Sequence, residues 1–167
     1  KNNCLEYLFD YMNKHPDISL SQPLIYSYPK KEVQRLCKKN PSLAIQFIRL
    51  FLKNFLRGKN FLKKYNDIYE MKGIAYGKEI VESQYLSGCF MFCRVSDLNK
   101  VNWFDTRYFM YLEDADLTRM LSKVGKCIHL PFISIGHLWA KGSHKYFKLK
   151  IIAIYSFILY SIKWGLK

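Results

Sequence analysis

Glu113, Asp114 and Asp116 place three carboxylates within four positions of a chain that carries 27 Lys and Arg against 13 Asp and Glu. They follow an aromatic run, Tyr108, Phe109, Met110 and Tyr111, and they open a segment in which Leu117, Met120, Leu121 and Val124 recur at helical spacing. Two accounts fit such a cluster. In the first, the acids occupy the first turn of a helix because its dipole favours negative charge there, and Asp116 pairs with Arg119 one turn on. In the second, a carboxylate at a helix start, held among aromatic rings and partly desolvated, acts as a general base on a hydroxyl. With about 100° between successive residues, Asp114 and Asp116 point to nearly opposite sides of the helix, so only one of them faces a given pocket. Asp114 is the better base, Glu113 its neighbour that raises its pKa or orients an acceptor, and Asp116 the structural residue.

His137 follows Gly136 at the end of an expected strand, where it serves either as a satisfied structural residue or as a metal or phosphate ligand. His129 lies inside a strand, His144 opens a lysine-rich segment and His15, beside Pro16, marks a helix end. The five cysteines, Cys4, Cys37, Cys89, Cys93 and Cys127, are scattered among mainly apolar neighbours with no CxxC pair, which fits reduced buried thiols and argues against zinc. A glycosidase-type carboxylate pair would need a second acid across a cleft, and Asp97 and Asp105 have no persuasive setting for it.

The elements that carry these residues read as α/β. Leu5, Leu8, Phe9 and Met12 predict a helix that stops before Pro16, followed by a short strand from Ile18 to Ile25. Asn40 as cap and Pro41 as first residue predict a long amphipathic helix to Tyr65, broken near Gly58, whose lysine-rich face is either solvated or laid on anionic lipid. Glu82 to Val95 reads as one buried strand in which Gly88 marks a bulge or the close approach of a ligand or another backbone. A helix is expected from Glu113 to Lys123, then two short strands, Cys127 to Leu130 and Phe132 to Ile135, on either side of Pro131. Tyr146 to Trp164 predicts a final helix with an uncharged core, Ile151 to Ile162, short of the roughly 20 apolar residues of a bilayer span. It is either interfacial or buried.

At 167 residues the chain is large enough for one core. It opens on Lys1 in what reads as an element under way, so a piece of a longer protein is expected. A net charge of +14 favours an anionic partner, and the basic stretch from Lys30 to Lys64 is separate from the acidic cluster. A non-enzymatic basic module binding nucleic acid or membrane is the alternative to an enzyme. It leaves the carboxylates unexplained, because they would repel a phosphate backbone.

In order and spacing, YLSGCFMFCR (85–94), NWFDTRYFMYLEDADLTRML (102–121), VGKCIHLPF (124–132) and IGHLWAKGS (135–143) closely resemble the acceptor-side half of family 2 glycosyltransferases of the GT-A fold, especially their rhamnosyltransferase-like members. The resemblance implies a partial GT-A fold lacking its N-terminal nucleotide-binding strands. Residues 1–25 would form the tail of the nucleotide-binding half, 26–142 the acceptor-side catalytic half and 143–167 a C-terminal amphipathic helix, interfacial or packing. It further implies an inverting transferase with Asp114 as catalytic base beside Glu113. Gly88, Cys89, Trp103 and Asp105 would lie near the donor sugar or acceptor, and His137 would help to hold a metal or the donor diphosphate. Asn102 and Thr106 depart from the usual glycine and acid of the family's turn.

The implied partners are a nucleotide-diphosphate sugar, a lipid-linked or glycan acceptor and an anionic membrane surface, with no nucleic acid. The implied location is cytoplasmic, peripheral to the inner face of the membrane. Mg²⁺ or Mn²⁺ would be the cofactor, with its main carboxylate ligands upstream of Lys1, so the chain alone is expected to bind donor and metal poorly.

Overall fold

Helix α1 (Cys4–Lys14) begins where Oδ1 of Asn3 accepts the Leu5 amide at 3.1 Å, and it ends at His15 ahead of Pro16, as the sequence predicts. The computed structural model describes residues 3–42, 60–138 and 147–165. Its architecture is mixed α/β around a mixed four-stranded sheet of order β3-β6-β1-β5. The central strand β1 (Ile18–Ser27) is buried over its first eight residues. Such a run without alternation is what a strand covered on both faces requires.

β1 is longer than the expected Ile18 to Ile25 because it pairs in parallel with β6 (Lys126–His137) along its whole length, ending at Ser27 opposite His137. The two short strands expected around Pro131 are this single strand. Pro23 is opposite Leu130 and Leu24 opposite Ser134, so Pro131, Phe132 and Ile133 form a bulge that absorbs a residue with no amide to donate.

The expected strand from Glu82 to Val95 is three two-residue pieces in different settings. β3 (Val81–Glu82) pairs with β6, and β5 (Phe92–Cys93) pairs with β1. β4 (Tyr85–Leu86) forms a separate ladder with β2 (Cys37–Lys38). The cause is Gln22, fully buried on β1, whose Nε2 donates to the carbonyls of Ser87 at 2.6 Å and Phe90 at 2.8 Å. The chain is thereby turned out of the sheet between β4 and β5.

Helix α2 (Asn60–Tyr69) continues past Tyr65. The helix start expected at Pro41 is not observed, since Pro41 and Ser42 lie outside any helix, and residues 43–59, with the apolar stripe and Gly58, lie outside the described residues. Helix α3 (Val95–Lys100) and helix α4 (Glu113–Leu121) precede β6, and the chain reaches it through a turn at Gly125, where a β-carbon would collide with Oγ of Ser19. Helix α5 (Phe147–Trp164) closes the site, its Tyr160 clustering with Tyr85, Tyr108 and Ala115. Among the described residues no helix is long and apolar enough to cross a membrane.

Candidate active site

The start of α4 is set by backbone rather than by a capping side chain. Tyr111 and Leu112 adopt left-handed φ values of 70° and 66°, and no side chain caps the helix. Each such residue costs about 1–2 kcal/mol outside glycine, and strained pairs of this kind concentrate where side chains must be aimed. Here the turn delivers Asp114 to a nest of donors. Its Oδ2 accepts from the Gly88 amide at 2.7 Å and from the Tyr85 hydroxyl at 3.2 Å, and its Oδ1 accepts from the Ala115 amide at 2.9 Å. Thr118 fastens the same turn to β4, its Oγ1 donating to the Asp114 carbonyl at 2.7 Å and accepting the Leu86 amide at 3.3 Å.

Asp114 is buried, 7% exposed, with both carboxylate oxygens engaged by these donors. Two surface clefts lie away from these acids, one among Lys39, Lys64 and Ile74 and one among Leu5, Phe9 and Phe92. Glu113 is different in kind. Its Oε2 is buried without a hydrogen-bond partner, and burial, then the neighbouring Asp114 charge, pushes its carboxyl up. The Tyr85 phenol is likewise pushed well up by burial and by Asp114, so it remains a donor.

Asp116 points away from this nest, as helix geometry requires. Its Oδ2 takes Nζ of Lys163 at 2.7 Å and its Oδ1 takes the indole N–H of Trp164, both from α5. The sequence expectation of an Asp116–Arg119 pair is incorrect: Arg119 donates instead to the Tyr160 hydroxyl at 3.3 Å and lies over the Trp164 ring at 4.4 Å. With α5 supplying a closer cation and an indole donor, the i,i+3 partner is not needed. Lys163 also reaches Asp105 at 3.2 Å, and Arg107 binds Asp105 through both carboxylate oxygens. The Arg107 bonds hold the Asp105 carboxyl well below the usual range. Trp103 adopts a left-handed φ of 61°, follows left-handed Asn102, and donates its indole N–H to Asn99 at 2.9 Å.

Gly88 is brought directly against Asp114, whereas Cys89, on the same loop, is half-buried with its thiol pushed up by burial. His137 closes β6, and its Nδ1 lies 3.0 Å from Oε1 of Gln34. No hydrogen bond among the described residues joins His137 to Asp114. A divalent cation does not fit the described residues by themselves: none of them form a group of three or more His, Cys, Asp or Glu side chains that could hold one.

Sequence reasoning did not single out Gln22, Tyr85, Lys163 or Trp164 as site residues. Tyr85 and Gln22 read as ordinary strand positions, and only the register of the fold reveals their polar ends. For Lys163 and Trp164 a signal existed, since they form a cation and an indole donor side by side at the end of an otherwise apolar helix.

Comparison with known proteins places the chain near sugar transferases over part of its length. A stretch of 54 residues, 32% of this chain and 20% of the relative, is 44% identical to rhamnosyltransferase WbbL of Escherichia coli K12. A stretch of 69 residues, 38% of this chain and 22% of the relative, is 38% identical to N-acetylglucosaminyl-diphospho-decaprenol L-rhamnosyltransferase of Mycobacterium tuberculosis. The chain thus spans about a fifth of the length of the curated relatives it matches. No family model matches the chain. No solved structure matches it either.

Proposed function

We propose that this chain is the acceptor-side catalytic part of an inverting glycosyltransferase of the GT-A type, acting on a nucleotide-diphosphate sugar and a lipid-linked or glycan acceptor. The observation that carries the reading is the setting of Asp114: a buried carboxylate at a helix start, fixed by Gly88, Tyr85 and Ala115, within a chain similar to rhamnosyltransferases.

In this mechanism the Asp114 carboxylate removes the proton of an acceptor hydroxyl as that oxygen attacks the anomeric carbon of the donor. The new carbon–oxygen bond forms on the face opposite the leaving group. The old bond to the nucleoside diphosphate breaks with its electron pair, inverting the anomeric centre. The three donors hold one orientation of Asp114, which keeps the base aligned for in-line attack. Glu113, half-buried beside it, binds or orients the acceptor, and the loop of Gly88 and Cys89 lies at the sugar. Trp103 and Asp105 shape the acceptor side. His137, at the end of β6, is assigned to the donor diphosphate.

The test uses the full-length protein with a radiolabelled nucleotide-diphosphate rhamnose and a polyprenyl-diphosphate sugar acceptor. Asp114→Asn is expected to lower kcat by about 10²–10⁴-fold with little change in KM for the donor. Transfer at the wild-type rate by a folded Asp114→Asn protein would refute the assignment.

A further inference from the structure

Helix α5 packs by one face only. Ser156, Phe157 and Tyr160 are buried, and Ser156 Oγ donates to the Met110 carbonyl at 2.6 Å, tying this face to the loop before α4. On the opposite side Phe147, Ile151, Tyr155, Ile158 and Ile162 are exposed by 76%, 52%, 54%, 51% and 76%. Their spacing of four, four, three and four residues aligns them in a single stripe along the helix. Scattered apolar residues at a surface need no explanation, but a continuous stripe running the length of an 18-residue helix does.

The charge around the stripe identifies what covers it. Lys148 and Lys150 are exposed at its edges, on either side of the line through Phe147 and Ile151. The sequence holds no Asp or Glu after Asp116, and Asp116 and Asp105 are both already engaged by Lys163. Along α5 itself the charged residues beside the stripe are therefore all cations. A second copy of the same face carries no acid to meet these lysines, whereas a negatively charged bilayer surface offers acyl chains to the apolar residues and phosphates to the lysines.

We infer that α5 lies flat on an anionic bilayer, with Phe147, Ile151, Tyr155, Ile158 and Ile162 inserted below the headgroups and Lys148 and Lys150 among the phosphates. The opposite face of the same helix holds Asp116 through Lys163 and Trp164, so docking brings the start of α4 to the membrane surface. This goes beyond the transfer reaction and is measurable without turnover, so its failure leaves the role of Asp114 untouched.

The experiment is co-sedimentation of the full-length protein with vesicles of phosphatidylcholine in which a third of the lipid is phosphatidylglycerol, beside vesicles of phosphatidylcholine alone. Expected is binding to the anionic vesicles that falls with added salt and is weakened at least about tenfold by Ile151→Asp with Ile158→Asp. Lys148→Glu with Lys150→Glu, which leaves the stripe intact, is expected to abolish the preference for phosphatidylglycerol while far-ultraviolet circular dichroism stays unchanged. Binding unaffected by either pair of substitutions would overturn the inference. So would a dimer in vesicle-free solution that Ile151→Asp with Ile158→Asp splits, because a second copy would then own the stripe.

Discussion

The Gly88 amide donates to Oδ2 of Asp114 at 2.7 Å, and a β-carbon at position 88 would stand 3.1 Å from the β-carbon of Asp114. The loop and the helix start therefore approach as closely as a missing side chain permits. Gly88→Ala is expected to force Asp114 back by a few tenths of an ångström, costing about 1–3 kcal/mol of stability and a larger share of kcat than of KM. Thermal unfolding and steady-state transfer rates of the alanine variant check this, and a variant indistinguishable in both would show that the approach has slack.

Asp116 is wholly buried, and its charge is balanced by Lys163 and the Trp164 indole N–H. Lys163→Met removes the cation while keeping most of the stem, leaving a buried carboxylate unpaired. The expected loss is about 3–5 kcal/mol in urea unfolding, with a substantial part restored when Asp116→Asn is added. Additive losses in the double variant would mean that the two groups do not sense one another.

The opposite orientations of Asp114 and Asp116 were legible because helical angle is a property of spacing alone. At Gly88 the sequence left a bulge and the close approach of a ligand or another backbone both open, and what approaches is the Asp114 side chain. Helices α1, α4 and α5 were legible within a few residues for the same reason of period. The strands were not. Glu82 to Val95 is apolar enough to read as continuous, yet the buried Gln22 amide intercepts its carbonyls at Ser87 and Phe90, a contact between residues more than sixty positions apart. Likewise the ten-residue extent of β1 depends on β6, over a hundred residues away. Asp116 was assigned the nearer Arg119 because sequence offers local partners first, while Lys163 becomes a neighbour only when α5 folds back.

His129 lies in β6 fully buried, stacked on Tyr76 at a ring separation of 4.1 Å, with neither ring nitrogen hydrogen-bonded to another side chain. Burial pushes its pKa down to about 4 from 6.5, so the folded chain holds it neutral while the unfolded chain binds a proton. Where the unfolded state carries more protons, stability rises with pH. The contribution is complete above about pH 6.5 and is lost as pH falls toward about 4, amounting to about 3 kcal/mol at most. Urea midpoints across that window should fall with acid in the wild type and less steeply in His129→Phe, which retains a ring to stack on Tyr76.

Glu113 is expected to set stability and activity against each other. Its Oε2 is buried without a partner, and burial together with Asp114 raises its pKa above the ordinary glutamate value. Below that ordinary value both folded and unfolded chains hold the proton, and the group costs nothing. As pH rises, the unfolded chain releases its proton first, so folding stability declines until the folded pKa is passed and the full penalty of a buried, repelled charge is in place. Glu113→Gln removes that charge at nearly constant shape. The variant should match the wild type in urea unfolding at about pH 4 and exceed it at about pH 8. At the higher pH it should nevertheless transfer sugar more slowly, with the loss in KM for the acceptor, if the carboxylate orients the incoming hydroxyl. A glutamine variant that is both more stable and fully active would reduce Glu113 to a helix-terminal charge and leave Asp114 as the sole acid of the site.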